Sequence, residues 1–379
     1  MKNIVQTGLA FILFSFTLQA TLQAQNSFDP LVEKTTTSIC RVDLTKIDLS
    51  QFTLVLSNGA NSLIDDIATD AEKAKEMKAM VPMIGLVATQ YEPVYLKPLK
   101  DAGVTEIFIV GTPENADISP FYLAIPTKDK SKEQIESLRK RIPAIASQLG
   151  INFRFPFVRH GFLFAPSINK EITDDKQIKD HITNRFKTLD TVNNPIFAET
   201  FAAAPPNACA VQVMLNNEDT MKAFSDTLVQ LQESVMEQDD ENIQKATDIV
   251  LNYIENFNAS IKYTTWSLEL NGTPGYYLTF KMNSAEQAGK IQNATAECRN
   301  QVKNLVTEMF QKQKKAENAP VVNTLLDGMF QFTQDGDTLN WKFDSDFCNA
   351  NRKAFVDYLK TALAVMEDLQ KEMDTDMDE

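Results

Sequence analysis

The chain has 379 residues, with 37 Lys and Arg against 51 Asp and Glu, and a formal net charge of −14. Its hydrophobic fraction of 43% is typical of a globular protein rather than of a disordered or collagen-like chain. The acidic balance argues against nucleic acid as the main partner, because phosphate binding needs a basic surface.

Residues 1–24 are predicted to form a signal peptide. Lys2 supplies the positive charge, residues 8–18 form the apolar core, and Ala20 and Ala24 are small residues suited to a cleavage site. We expect cleavage after Ala24; an uncleaved N-terminal anchor is the alternative. No later stretch is long and apolar enough for a membrane helix, so the mature chain is expected in the periplasm or the secreted space.

The first half is predicted to contain a strand, a helical region, two strands, a helix, a hairpin and a final helix, in that order. Period-2 alternation, period-3.6 apolar stripes and turn residues mark these elements. They lie at 38–44, 63–81, 107–111, 121–126, 135–149, 153–164 and 175–189. The hairpin turn is predicted at His160-Gly161.

The second half repeats this order. Gly111-Thr112-Pro113 recurs as Gly272-Thr273-Pro274, and each copy lies between two predicted strands. The opening strand, the helices, the hairpin with an Asp335-Gly336 turn and the final helix follow in the same sequence. The matching elements lie at 208–213, 221–257, 268–272, 276–281, 288–309, 330–343 and 349–373.

The sequence therefore predicts an α+β protein made of two tandem, duplicated domains of ferredoxin-like type. Each would have an antiparallel sheet with helices on one face. The expected divisions are a first repeat, a Pro-containing linker, a second repeat and an acidic tail, at 35–190, 191–207, 208–373 and 374–379. The alternative is a single domain in which the two sheets pair edge to edge.

The four Cys leave two interpretations open. In an exported protein thiols are usually paired or buried. Cys298 and Cys348 lie in one half and are the candidate disulfide; otherwise all four, including Cys40 and Cys209, are buried free thiols.

No residue is assigned to catalysis, a cofactor or a metal. His160 is expected on a solvated turn and His181 on the charged face of a helix, where neither has zinc-ligand neighbours. The acidic pairs near the last hairpin, Asp335 to Asp337 and Asp344 to Asp346, fit turn chemistry better than calcium binding. The sequence contains no nucleophile elbow and no phosphate loop, and it has only 12 Gly.

The opening strand, Ile39-Cys40-Arg41-Val42-Asp43-Leu44, follows a signal peptide and precedes a two-part α+β chain. In this layout the chain resembles uncharacterised exported α+β proteins of planctomycete-type bacteria. The resemblance implies export and internal duplication. It implies no activity, cofactor or site residue.

The expected function is that of a non-catalytic binding or structural protein of the envelope or the secreted space, acting on an unknown protein or envelope ligand. Two alternatives stay open. One is a hydrolase whose carboxylates meet only in the fold, and the other is an inhibitor or chaperone-like partner. A cleft with two carboxylates of shifted pKa would favour the first, and an exposed apolar patch would favour the second.

We predict that the exported chain begins at Gln25. A short apolar core and the small residue Ala24 place the cleavage site there. N-terminal sequencing of the protein from the extracytoplasmic fraction checks this. A membrane-bound chain that still begins at Met1 would contradict it.

Overall fold

The structure is a computed structural model with an α+β fold. It describes residues 31–33, 36–68, 70–111, 118–119, 121–187, 192, 194–216, 241–270, 274–312, 319–329 and 331–377. The predicted signal peptide, most of the Gly-Thr-Pro strings and the acidic stretch near residue 240 lie outside these residues. Among the helices described, none is both long and apolar enough to cross a bilayer.

In the first half, helices and strands follow the predicted order, with the helical region divided into several helices. The elements are β1 (Ser38–Asp43), α1 (Leu49–Ile67), α2 (Ala71–Met80), α3 (Pro82–Tyr91), α4 (Lys97–Asp101), β2 (Glu106–Gly111), β3 (Phe121–Pro126), α5 (Lys132–Gln148), β4 (Phe157–Arg159), β5 (Phe162–Pro166), α6 (Asp175–Lys187) and α7 (Pro195–Ala202).

In the second half the same order of strands recurs. The elements are β6 (Ala210–Leu215), α8 (Glu241–Ser260), β7 (Ile261–Glu269), β8 (Gly275–Met282), α9 (Ala285–Lys312), α10 (Ala319–Met329), β9 (Thr333–Asp335), β10 (Thr338–Phe343) and α11 (Ser345–Met377). The last helix continues to Met377, past the residue at which the acidic tail was predicted to begin.

Capping side chains explain two helix starts. Asp70 accepts hydrogen bonds from the backbone N–H groups of Glu72 and Lys73, at 3.0 and 2.9 Å, and so separates α2 from α1. Ser131 and Gln134 form a capping box at the start of α5. Such caps satisfy the N–H groups that the first turn of a helix leaves unpaired.

The strands that the structure describes form one sheet of ten, in the order β4-β5-β3-β2-β1-β6-β7-β8-β10-β9. The sheet is antiparallel. The first strands of the two halves pair with each other, with Ser38 opposite Met214 and Val42 opposite Ala210. The predicted sheets therefore join edge to edge, as in the alternative that the sequence left open.

The ferredoxin-like arrangement is not confirmed. A split βαβ unit has its crossover strands parallel and separated by another strand. Here β1 and β2, which flank the helical region, are direct antiparallel neighbours, with Ser38 opposite Gly111 and Asp43 opposite Glu106. The helices between them return the chain to the adjacent position in the sheet.

The expectation of helices on one face is wrong for the first-half sheet. On one face Phe108, Tyr122 and Phe164 pack with Ile178 of α6 and Phe197 of α7. On the other face Leu123, Ile125 and Leu163 of the strands pack with helix α5, which contributes Leu138 and Ile142. The cause is visible in the sequence, since β3 and β5 are unbroken apolar runs rather than alternating strands.

The described residues group into two compact units, each built from separate stretches of chain. The first contains the described residues within 1–52, 87–220 and 263–278, and the second those within 53–86, 221–262 and 279–379. The core of the second unit contains Ile261, Met282, Ile291 and Leu339, and Phe257 packs edge-on against Phe280 at 4.7 Å between ring centres. The predicted repeat boundaries stay a prediction.

A buried hydroxyl fixes the segment that precedes β1. Tyr122 is fully buried, and its hydroxyl donates to the backbone carbonyl of Leu31 at 2.7 Å. Burial raises the pKa of Tyr122 well above its usual value, with Glu33 adding to the rise and Arg185 opposing it. The hydroxyl therefore stays protonated and remains a donor.

We predict that Tyr122→Phe lowers the free energy of unfolding by about 1 kcal/mol, because the Leu31 carbonyl loses its donor while buried. Urea denaturation measures the change. Tyr263→Phe is the matched control, since the structure gives that hydroxyl no hydrogen bond within the described residues. Equal stabilities of the two variants would contradict the prediction.

Candidate binding groove beside the edge strand

An open groove of about 420 Å³ lies in the first unit, between the terminal strand β4 and helix α6. This volume is within the range of small ligand sites. We name it the β4 groove. Its lining comprises Phe155, Phe157, Val158, Arg159, Lys179, Ile182, Thr183, Phe186 and Lys187.

The floor of the β4 groove is a cluster of aromatic rings. Phe157 stacks on Phe164 with 5.4 Å between ring centres and meets Phe186 edge-on at 4.9 Å. Ile182 is buried beside them, whereas Val158 on the strand is 46% exposed. Rings held by several neighbours give the groove a fixed apolar surface.

Phe155 lies in a bulge of the outer segment. Phe153 faces Ser167 across an isolated bridge, and Phe157 faces Phe164. Between these two pairs the outer chain advances four residues while its neighbour advances three, so the outer chain carries one extra residue. Phe155 has a φ of +50°, which is uncommon for a residue other than Gly. Bulges occur at sheet edges, where they redirect a side chain, and here the redirected ring lines the groove.

Three cations line the β4 groove, and none of its lining residues is acidic. The Nζ of Lys179 lies 4.7 Å from the ring centre of Phe155, within cation–π range. Arg159 donates from Nε to Nε2 of His160 at 2.9 Å. Arg154 also approaches Phe155, but it forms an ion pair with Asp175.

The outer edge of β4 offers one residue for pairing. His160 and Gly161 have φ values of +49° and +80°, as a two-residue hairpin requires, and this confirms the predicted turn. The pair that closes such a hairpin, Arg159 and Phe162, exchanges both hydrogen bonds. The next pair, Val158 and Leu163, exchanges no hydrogen bonds, because bonded and non-bonded pairs alternate along an antiparallel ladder. The N–H and C=O of Val158 therefore point away from β5.

The two His residues lie on different elements, the β4–β5 hairpin and helix α6. His160 is exposed at the hairpin tip, as expected. His181 on α6 is half-buried, so the expectation of a surface residue is wrong; its Nε2 is buried and has no hydrogen-bond partner within the described chain. Burial lowers the pKa of His181, and the charge of Arg185 lowers it further.

The four Cys have free thiols in the structure. Cys40 and Cys209 are buried, and Cys298 and Cys348 are half-buried. Burial raises the pKa of Cys209 to about 12 and raises that of Cys40 as well. The disulfide between Cys298 and Cys348 stays a prediction.

The acidic residues near the last hairpin take structural roles. Asp337 accepts from Lys281 at 2.5 Å, and Asp344 accepts from the backbone N–H of Phe347 at 2.9 Å. In the part of the chain that the structure describes, no group of three or more His, Cys, Asp or Glu could hold a metal ion.

The sequence did not identify one carboxylate pair that the fold brings together. Asp43 on β1 and Glu106 on β2 are opposite in register, and Arg41 lies 3.4 Å from each carboxylate. Burial raises the pKa of Glu106, while Arg41 opposes the shift. Asp43 also accepts from the backbone N–H of Thr45 at 3.1 Å, so it closes the turn after β1.

Comparison with known proteins assigns this chain to no family. The chain matches no protein-family model, and no curated protein and no solved structure is significantly similar to it.

We predict that Cys40 and Cys209 resist alkylation by iodoacetamide at about pH 8, because the thiolate is the reactive form and burial disfavours it. Mass spectrometry of the native protein, with reductant present, should find carbamidomethyl groups on Cys298 and Cys348 first. In guanidinium all four should react at similar rates. Native Cys209 reacting as fast as Cys348 would contradict the prediction, and omitting the reductant tests the Cys298–Cys348 disulfide.

Proposed function

We propose that this chain is an exported, non-catalytic binding protein whose β4 groove holds an anionic ligand with an apolar body. The observation that supports this proposal is the lining of the groove. It combines an aromatic floor with Arg159, Lys179 and Lys187 and contains no acidic residue.

The net charge of the chain makes this lining informative. A protein with a net charge of −14 repels anions at long range. Charges farther apart than about 8–10 Å are largely screened at physiological salt, so an anion in the groove responds mainly to the nearest side chains. The cations that line the groove therefore attract an anion once it is bound there, although the net charge of the protein is negative.

The apolar part of the site supports a ligand with a hydrophobic body. Strand β4 has no neighbour on its outer side among the described residues, and the rings of Phe155 and Phe157 line the groove beside it. A ligand that covers these rings removes apolar surface from water, which contributes about 25 cal/mol per Å². A simple inorganic anion would leave this surface exposed.

We also propose that the two halves are repeats of one ancestral unit. Read outward from the central β1–β6 pair, the sheet order is β1-β2-β3-β5-β4 on one side and β6-β7-β8-β10-β9 on the other. The equivalent strands of the two halves thus occupy equivalent positions. This symmetry supports the duplication that the Gly111-Thr112-Pro113 and Gly272-Thr273-Pro274 strings indicate.

The hydrolase alternative would depend on Asp43 and Glu106. Neither of them lines the β4 groove, and Asp43 is engaged by Thr45 and Lys46. We therefore assign Asp43 and Glu106 to a structural network of ion pairs rather than to acid–base chemistry. The inhibitor or chaperone alternative shares the β4 groove with our proposal and differs only in the ligand.

We predict that Lys179→Glu weakens binding of anilinonaphthalene sulfonate about tenfold, because the charge beside Phe155 changes sign. Fluorescence titration of the purified chain measures the dissociation constant. Lys140→Glu is the matched control, since Lys140 is an exposed cation on α5 outside the groove.

A second probe separates charge from hydrophobic contact. Phenylnaphthylamine has similar rings without the sulfonate, so Lys179→Glu should leave its affinity almost unchanged. If Lys179→Glu and Lys140→Glu have the same effect on the sulfonate, the anion is bound elsewhere and the proposal is wrong.

A further inference from the structure

The geometry points to an extended acidic peptide segment as the ligand of the β4 groove: it adds one short strand to the outer edge of β4 and places two acidic side chains over α6. This inference rests on the proposed function and specifies its ligand. Addition of a strand to an open sheet edge is a common mode of peptide recognition.

The edge of β4 restricts the added strand to a short one. Val158 offers an outward N–H and C=O, as derived from the hairpin register. Pro156, the outward position before it, has no N–H, and its carbonyl accepts from Nε of Arg139 at 3.0 Å. A peptide thus gains one pair of backbone hydrogen bonds, which fixes its register, while side-chain contacts supply the remaining affinity.

The helix side of the groove defines the spacing of the acids. Lys179, Thr183 and Lys187 are four residues apart and share one face of α6. Lys179 and Lys187 are therefore separated by about 12 Å along the helix, at 1.5 Å per residue. In a strand, residues i and i+4 share one face and are about 13 Å apart.

The floor defines the residue between the two acids. Ile182 and Phe186 lie between Lys179 and Lys187 along α6, and the ring of Phe157 contacts that of Phe186 with 4.9 Å between ring centres. Residue i+2 of the strand points to the same face as i and i+4. The preferred motif is therefore acidic–x–apolar–x–acidic, with the apolar side chain on the aromatic floor.

Charge complementarity decides between this peptide and other occupants. The two lysines and Arg159 are best matched by a ligand with several negative charges spread along the groove. A fatty acid has one carboxylate, at one end. The groove is also open to solvent rather than enclosed, which suits a chain that continues beyond it. A neutral peptide would leave the cations without counter-charges.

Two blocked peptides of identical composition test the inference. The first is Ser-Glu-Thr-Leu-Thr-Glu-Ser, which places both Glu on the same face as Leu. The second is Ser-Thr-Glu-Leu-Glu-Thr-Ser, in which both Glu point to the opposite face. We expect the first to displace anilinonaphthalene sulfonate from the purified chain at a concentration about tenfold lower than the second.

Val158→Pro tests the backbone pairing. Proline removes the outward N–H and leaves the hydrogen bonds to β5 intact, which is why edge strands tolerate it. The first peptide should bind about fivefold more weakly to Val158→Pro than to Val158→Thr, because only the proline variant loses the outward N–H. Circular dichroism and urea denaturation of both variants verify the fold.

The outcomes separate this inference from the proposed function. Equal displacement by the two peptides, or equal peptide affinity of Val158→Pro and Val158→Thr, overturns the strand addition and leaves the sulfonate site in place. Displacement of the sulfonate by laurate but by neither peptide also overturns it and identifies a lipid site. If the unmodified chain binds neither the sulfonate nor the peptides, both the proposed function and this inference fail.

Discussion

The pairing of β1 on both of its edges is the constraint on which the rest of the sheet depends. Six residues pair β1 with β2, and five of the same residues pair it with β6. A sheet edge exposes unpaired N–H and C=O groups, so joining the first strands of the two halves removes one edge from each. Among the described strands two edges remain, β4 and β9. A ligand that pairs with the backbone of the described sheet can therefore add at either of these strands.

The β4 groove follows from the way in which the first edge ends. β4 has three residues, against five in its neighbour β5, and it is preceded by the bulge at Phe155 and by Pro156. Short edge strands, bulges and prolines all limit uncontrolled pairing with other chains. The same features leave the aromatic floor uncovered beside α6, so the protection of the edge and the formation of the groove have one structural cause.

The sequence contained the order of the elements but not the contacts between distant ones. A local pattern located the His160-Gly161 hairpin. The unbroken apolar runs of β3 and β5 indicate burial on both faces of the sheet, but the prediction of helices on one face did not take them into account. No local pattern indicates that Val42 pairs with Ala210 or that Asp43 faces Glu106. The β4 groove was missed for the same reason, since Lys179, Thr183 and Lys187 form an ordinary exposed stripe until β4 is placed beside them.

The two remaining edges differ in chemistry although they occupy equivalent positions in the strand order. Thr333, Gln334 and Asp335 of β9 are all exposed, and Nε2 of Gln334 donates to the carbonyls of Ala285 and Gly336 at 3.1 and 2.9 Å. That edge is polar and partly closed by its own side chain. If the halves are repeats, the strand order cannot be the cause of the apolar, cationic lining at β4, because the same order at β9 has a different lining. The left-handed backbone of Phe155 is also uncommon for a residue other than Gly. The proposed peptide uses this residue, because the bulge directs its ring into the groove.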